Sequence, residues 1–326
     1  MTVKFAQSRA SLSNFEFHDL LSRQETFREA FLRTMGAPEK SIPCRFLYDA
    51  RGSALFDEIC DLPDYYPTRT EISILKARAD DLAALIGPGA VLIELGSGSS
   101  VKTRILLDRM IKPAAYMPID VSREHLRAAA EEIAADYPDL QVEAVCADYS
   151  EAFDLPAAQG RRVGFFPGST IGNLSREEAR MLLSLWREKL GPGGLMIIGA
   201  DLKKESRALE AAYNDPEGVT EGFIKNILAR ANRELGGDFD ITRFDYEARY
   251  YAAAGRVEMH LVSKDAQTVT VAGRNFTFHA GEHIHIENSH KYGLEEFAEL
   301  ARSAGFTPDA RFTDPARLFS VHLLAA

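Results

Sequence analysis

Cysteine is scarce in this chain. Its three cysteines (Cys44, Cys60 and Cys146) are scattered and odd in number, which excludes a disulfide framework and a zinc knuckle and suits a reducing compartment. No apolar run approaches the ~18 residues of a membrane span. The first basic residues are not followed by an apolar core, so no secretory leader is expected. Positive charge is in the minority: 38 Lys and Arg against 48 Asp and Glu leave a net charge of −10. That balance argues against a broad nucleic-acid surface or an anionic-membrane surface. Internal repeats and low-complexity linkers are missing too. What remains is a cytoplasmic chain of about two domains, with no obligate protein partner indicated.

The chain is organised around Val91-Leu-Ile-Glu94-Leu-Gly96-Ser-Gly98-Ser-Ser-Val-Lys102-Thr. An apolar run, an acid, a glycine turn and a helical run predict a buried parallel strand that turns tightly into a helix. A dinucleotide fingerprint would place a third glycine where Val101 stands. The same grammar then repeats. Strands are predicted at Ala115–Asp120, 142–147, 163–166 and 195–199, with helices between them, which gives a doubly wound α/β sheet. A helix over 294–304 and a last strand over 319–324 complete it.

Other local readings follow from spacing. A helix is expected from Ser22 to Met35. A short strand, a turn at Gly52 and a helix are expected over 44–57. Capping boxes are expected at Thr68/Glu71 and Ser175/Glu178, with Ser122 as a further cap. Residues 1 to about 15 are weakly patterned. From Lys203 the alternation stops: two helices (about 204–213 and 217–235) precede strands separated by Gly255, Lys264-Asp265, Gly273 and Gly281. Residues 204–291 therefore look like an insertion. The expected division is 70–203 with 292–326 as one domain, and 16–69 with 204–291 as a second, α+β domain.

In an open α/β sheet, ligands sit outside the carboxyl ends of the strands. Glu94 with the Gly96–Gly98 turn, Asp120 and Asp148 end three successive strands there. The turn resembles the first motif of class I methyltransferases, Rossmann-like folds that bind S-adenosylmethionine. A cationic sulfonium also tolerates acids better than a pyrophosphate would. The fourth strand ends in Phe166-Pro-Gly-Ser-Thr-Ile-Gly-Asn173, not in the Asn-Pro-Pro-aromatic motif of base methyltransferases.

Longer strings carry a closer resemblance. Tyr48-Asp-Ala-Arg-Gly-Ser, Leu62-Pro-Asp-Tyr65-Tyr66-Pro-Thr-Arg, the Phe166–Asn173 run, Ala212-Tyr213-Asn-Asp and Glu287-Asn-Ser289 are similar to the histidine Nα-methyltransferases of ergothioneine biosynthesis. The resemblance runs from about Phe46 to Leu324. It implies Gly96, Gly98, Lys102, Asp120, Asp148 and Tyr149 around S-adenosylmethionine. It implies Tyr65, Asn173 and Tyr213 at the amine and carboxylate of L-histidine, where they are also the catalytic set. Glu287 and Ser289 are implied at the imidazole, with Met259 beside them and Tyr48 near the amine. The implied activity is trimethylation to hercynine. A carboxylate and a hydroxyl suit the two ring nitrogens chemically.

His279, His283, His285 and His290 match no common zinc spacing, so no metal is expected and exposed strand histidines are the reading. The alternatives are N-methylation of another amino acid or small amine, such as tryptophan, and a non-catalytic S-adenosylmethionine sensor. Glu287 and Met259 disfavour tryptophan. The presence of Tyr65, Asn173 and Tyr213 disfavours the sensor.

Overall fold

The computed structural model describes residues 12–21, 24–98 and 100–326. Its largest layer is an eight-stranded sheet built from β1 (Phe15–Asp19), β2 (Val91–Leu95), β3 (Ala115–Asp120), β4 (Gln141–Cys146), β5 (Arg162–Phe166), β6 (Leu195–Asp201), β12 (Thr307–Thr313) and β13 (Phe319–Ala325). The order is β1-β4-β3-β2-β5-β6-β13-β12. All neighbours are parallel except β13, which runs antiparallel to both β6 and β12. β2 is buried at every position, as a central parallel strand covered on both faces must be. Chain order reverses between β2 and β5, and that crevice is where an open α/β sheet takes its ligand.

Helices α3 (Tyr66–Ile86), α4 (Val101–Leu107), α5 (Arg123–Asp136), α6 (Arg176–Leu190) and α9 (Leu294–Ser303) cover the sheet, with apolar cores on its two faces. Trp186, Leu182 and Leu183 belong to one of these cores. A third core lies outside the sheet. It joins α1 (Phe27–Thr34) and α2 (Ala50–Asp61) to the inserted α7 (Ser206–Ala211), α8 (Val219–Leu235), β7 (Phe244–Tyr251), β8 (Arg256–Ser263), β9 (Gln267–Val271), β10 (Arg274–Phe278) and β11 (His283–His290). The inserted strands form an antiparallel sheet β11-β8-β7 and a hairpin of β9 and β10. Among the described residues, no helix is long and apolar enough to cross a membrane.

Several local expectations are corrected. The segment expected to open the second domain begins with β1, which pairs with β4 from Phe15↔Val142 to Asp19↔Cys146. Residue 16 therefore belongs to the large sheet. The first helix starts at Phe27, capped by Thr26 with Glu29; Ser22 and Arg23 lie outside the described residues, as do residues 1–11. Cys44–Leu47 is a 3-10 turn, not a strand, and Gly52 sits in the first turn of α2, where its N–H is taken by the Asp49 cap. The Thr68/Glu71 box does not form. Pro67 is tolerated in a first helical turn, so α3 begins at Tyr66 and Glu71 turns inward to another task. Ser122 caps by position, but its side chain makes no cap bond; its N–H goes to Asp120. The Ser175/Glu178 box forms as expected.

Candidate active site

The carboxyl edge of the sheet gathers the first group of candidates. Gly96 takes φ 78° directly after β2, a conformation that glycine reaches without penalty. A Cβ on Gly98 would meet nothing within 4 Å, so the turn opens onto free space. Glu94 faces inward. It is buried and accepts from Thr103 Oγ1 at 2.6 Å and from the Tyr116 hydroxyl, which fastens β2 to α4 and β3. Asp120 stands at the end of β3 with Oδ1 on the Ser122 N–H at 2.8 Å, and burial raises its pKa. Asp148 binds the Ser150 N–H and hydroxyl. The Tyr149 ring packs edge-on to Phe166, 5.5 Å between centroids, and its carbonyl is held by the Trp186 indole.

Lys102 reaches back from α4 to Glu71 Oε2 at 2.5 Å. Glu71 also accepts the Gly168 N–H at 2.8 and 3.0 Å, so one buried carboxylate ties α3, α4 and the loop after β5. Sequence reasoning missed this role, because the spacing of Glu71 suggested a cap.

In that loop Gly168 and Ser169 are both left-handed, φ 82° and 56°. Ser169, a non-glycine residue in a costly conformation, is held by its Oγ accepting the Asp201 N–H at 2.9 Å. The 3-10 turn Thr170–Asn173 then lies directly on β11. A Cβ on Gly172 would stand 2.8 Å from the His290 carbonyl oxygen, so only glycine permits this approach. The result is a bond between Asn173 Nδ2 and Glu287 Oε1 at 2.8 Å.

Glu287 faces this way because of an irregularity in β11. Ile284 pairs with Leu261 and His285 with His260, but Glu287 pairs with Met259 and Ser289 with Val257. Ile286 is the extra residue of a β-bulge. Strict alternation from Ile284 would turn Asn288 and His290 towards the face that holds Leu261, Met259 and Val257; the bulge gives that face to Glu287 and Ser289. Burial raises the Glu287 pKa to about 7, against the opposing pull of Lys291 and a hydrogen bond from Cys44.

Ser289 meets Tyr213 across 2.8 Å, and the Tyr213 ring packs edge-on to Tyr65, centroids 6.1 Å apart. Tyr48 is more peripheral, 39% exposed, with its ring against Phe56 and Phe223.

Behind the hydroxyls lies a buried ionic cluster that the sequence reading did not single out. Lys291 is fully buried, and its ammonium donates to Asp201 Oδ2 at 2.6 Å, Tyr213 Oη at 2.7 Å and Ser289 Oγ at 2.8 Å. Asp201 also receives Lys204 at 2.6 Å and the Tyr66 hydroxyl at 2.8 and 2.9 Å. Burial opposes charge on both partners, yet Asp201 is held below the ordinary carboxylate value by Lys291 and Lys204, and Lys291 above the ordinary lysine value by Asp201 and Tyr213. Lys204 is lowered to about 8, chiefly by burial. The available signal was a lysine two residues beyond Ser289 and an acid ending β6.

The four strand histidines stand apart from this chemistry. His279 and His283 are exposed and His285 is half-buried. His290 is buried, contrary to expectation, and its pKa falls to about 4 through burial and the nearby Arg176. Among the described residues, the ligating side chains close enough together to hold an ion are Glu16, His18 and Glu143 on the β1–β4 edge; none of the four histidines is among them.

A parallel sheet of this order, with acids at the strand ends and an antiparallel final hairpin, defines a class I methyltransferase. The profile of the histidine-specific, S-adenosylmethionine-dependent methyltransferases matches residues 27–326, and the chain belongs to that family. It is 40% identical to the histidine N-alpha-methyltransferase of Mycolicibacterium smegmatis over 318 residues, covering 96% of this chain and 98% of the relative. It is 32% identical to ergothioneine biosynthesis protein 1 of Neurospora crassa, with 88% of this chain matching 33% of that longer one. Among solved structures, the CcbJ methyltransferase from Streptomyces caelestis aligns with a TM-score of 0.46 at 18% identity, covering 77% of this chain and 94% of that one.

Proposed function

We propose that this chain methylates the α-amine of L-histidine three times, giving Nα,Nα,Nα-trimethylhistidine (hercynine) for ergothioneine biosynthesis. The observation that carries the reading is the convergence of half-buried Asn173 with buried Tyr213, Glu287 and Ser289, joined by the 2.8 Å Asn173–Glu287 and Tyr213–Ser289 bonds. In this reading the sheet, mainly 70–203 and 292–326, carries the cofactor. The segment from α1 to residue 69, with 204–291, carries the substrate.

S-adenosylmethionine, when bound, supplies a methyl group on a sulfonium. Gly96, Gly98, Lys102, Asp120, Asp148 and Tyr149 are the residues assigned to hold it. The donor set fits: the open space at Gly98 admits a chain close to the backbone, Lys102 suits a carboxylate, and Asp120 and Asp148 offer acceptors for hydroxyl and amino groups.

The substrate-side residues have a separable task. Glu287 accepts one imidazole N–H, and Ser289 serves the other nitrogen, with Met259 packed alongside. Tyr65, Asn173 and Tyr213 orient the amine and carboxylate, and Tyr48 closes the outer side. An ammonium has no lone pair, so the amine must be neutral to attack, and alignment of that lone pair supplies much of the rate. The aromatic faces of Tyr65 and Tyr213 suit the quaternary ammonium of the product.

The test is incubation of the purified protein with S-adenosylmethionine and a panel of free amino acids, with products followed by mass. Histidine gaining up to three methyl groups while tryptophan stays unmodified is the expected result. Methylation of another amine would overturn the imidazole assignment. Cofactor binding without any methylation would favour a sensor.

A further inference from the structure

Lys291 lies outside the residues assigned to histidine, yet it determines what two of them can do. An ammonium has three N–H donors and no acceptor. All three are used, on Asp201, Tyr213 and Ser289. Both hydroxyl oxygens therefore already accept from a cation. Tyr213 and Ser289 also bond each other at 2.8 Å, which takes one of their two hydroxyl protons. If Tyr213 donates, the Ser289 oxygen has accepted twice and only its proton remains. If Ser289 donates, the same holds for Tyr213. In either arrangement three of the pair's four lone pairs are taken, and the one donor and one acceptor that remain both lie beside the Lys291 charge.

We propose that Lys291 is a positioning residue of the imidazole site, holding Ser289 and Tyr213 in place and, by its buried charge behind them, admitting the ring neutral, with its unprotonated nitrogen towards them. The inference rests on histidine being the substrate. It gives the two sides of the site opposite demands, since Glu287 accepts an N–H and the hydroxyl pair donates one. An imidazolium carries two N–H groups and no acceptor, so it turns a second positive donor towards the hydroxyl pair and meets the Lys291 charge there. The charged and titratable groups facing this arrangement are Asp201 from β6, Tyr66 from α3, Tyr246 from β7, Lys204, Tyr48, Tyr65, Tyr213, Glu287 and, through Glu287, Cys44.

Lys291→Met is a usable probe, because Asp201 keeps Lys204 and the Tyr66 hydroxyl as partners. Histidine binding is measured by calorimetry from pH 5.5 to 8 in the presence of S-adenosylhomocysteine, beside triazolylalanine, whose ring stays neutral over that range. Protonation of Glu287 weakens both ligands, so the excess loss for histidine reports the ring alone. The unaltered protein is expected to lose histidine affinity on acidification by about tenfold more than triazolylalanine affinity, following the imidazole titration. In Lys291→Met that excess shrinks, because the charge that repels an imidazolium is gone. KM for histidine at pH 8 rises about ten- to a hundredfold, the weight of a charge-assisted contact, while kcat changes several-fold less.

An unaltered protein that binds both ligands with the same pH dependence overturns the proposal, whether or not the variant folds. So does a folded Lys291→Met with unchanged KM and an unchanged excess. If the unaltered protein does not methylate histidine at all, it is the functional reading that fails.

Discussion

Asn173 and Glu287, 114 residues apart in sequence, share a hydrogen bond of 2.8 Å between the loop after β5 and the bulged strand β11. The bond commits one Asn173 amide proton to the carboxylate and so fixes the amide's orientation, with its carbonyl as the group able to accept from a substrate amine. Replacing Asn173 by Ala should lower kcat/KM for histidine about ten- to a hundredfold. Asn173→Asp should be worse, because two carboxylates at that separation cannot both ionise. Initial rates of the two variants at pH 8 check this; an Asp variant as active as the Ala variant would contradict it.

The Glu287 carboxyl, raised from 4.5 to about 7 by burial, makes a prediction about stability. Between those values the native chain holds a proton that the unfolded chain has released, so stability falls as pH rises through this window. The loss is complete above about 7. Glu287→Gln carries no such charge. Its advantage over the wild type should grow by roughly 2–3 kcal/mol between pH 5 and pH 8. Urea midpoints at the two pH values measure it, and a gap that does not change with pH would refute it. Histidine turnover should fall in the same variant, as is common when a destabilised site is relaxed.

Glu71 makes a different demand. It holds both Lys102 and the Gly168 N–H but touches none of the residues assigned to the imidazole. Glu71→Gln should weaken S-adenosylhomocysteine binding by about tenfold, the scale of one charge-assisted bond. Histidine affinity in the saturated complex should stay within about twofold, within the scatter expected of sites that share no contacts. Calorimetric titration separates the two. Equal losses for both ligands would show that Glu71 acts on the whole fold instead.

Gly172 is where the loop lies against β11, 2.8 Å from the His290 carbonyl once a Cβ is added. Both neighbours are backbone, so neither side can yield without moving Asn173. Gly172→Ala should cost about 1–3 kcal/mol in stability and reduce kcat more than it raises KM. Thermal denaturation and steady-state rates together test this; an alanine variant with unchanged kcat would rule it out.

The parallel strands were readable because each is a short apolar run closed by an acid or a glycine, as at Val91–Glu94 and Ala115–Asp120. β1 was not, since Phe15–Asp19 mixes charge with aromatics at the edge of a sheet whose partner lies over a hundred residues away. The Gly96 turn, Lys102 and the Phe166–Asn173 loop were visible as strings. Glu71 and Lys291 were hidden for a common reason: a single charged residue in or just beyond a helix or strand normally faces solvent, and only the fold reveals that each is enclosed by its partners. The Thr68/Glu71 spacing even offered a satisfactory wrong answer, because a capping box and a buried anchor require the same side chain.

The irregularity in β11 means that the face on which Glu287 and Ser289 appear is a matter of counting, not of chemistry. The same residues paired without the bulge would present Ile286 and Asn288, opposite Met259 and Val257, where a carboxylate and a hydroxyl now stand. In the proposed reading, preference for an imidazole depends on how the chain between Ile284 and Glu287 pairs, not only on which residues it holds. Deleting Ile286 would restore a regular ladder and keep Glu287 and Ser289 on their face, whereas a single-residue insertion or deletion between them would put the two on opposite faces.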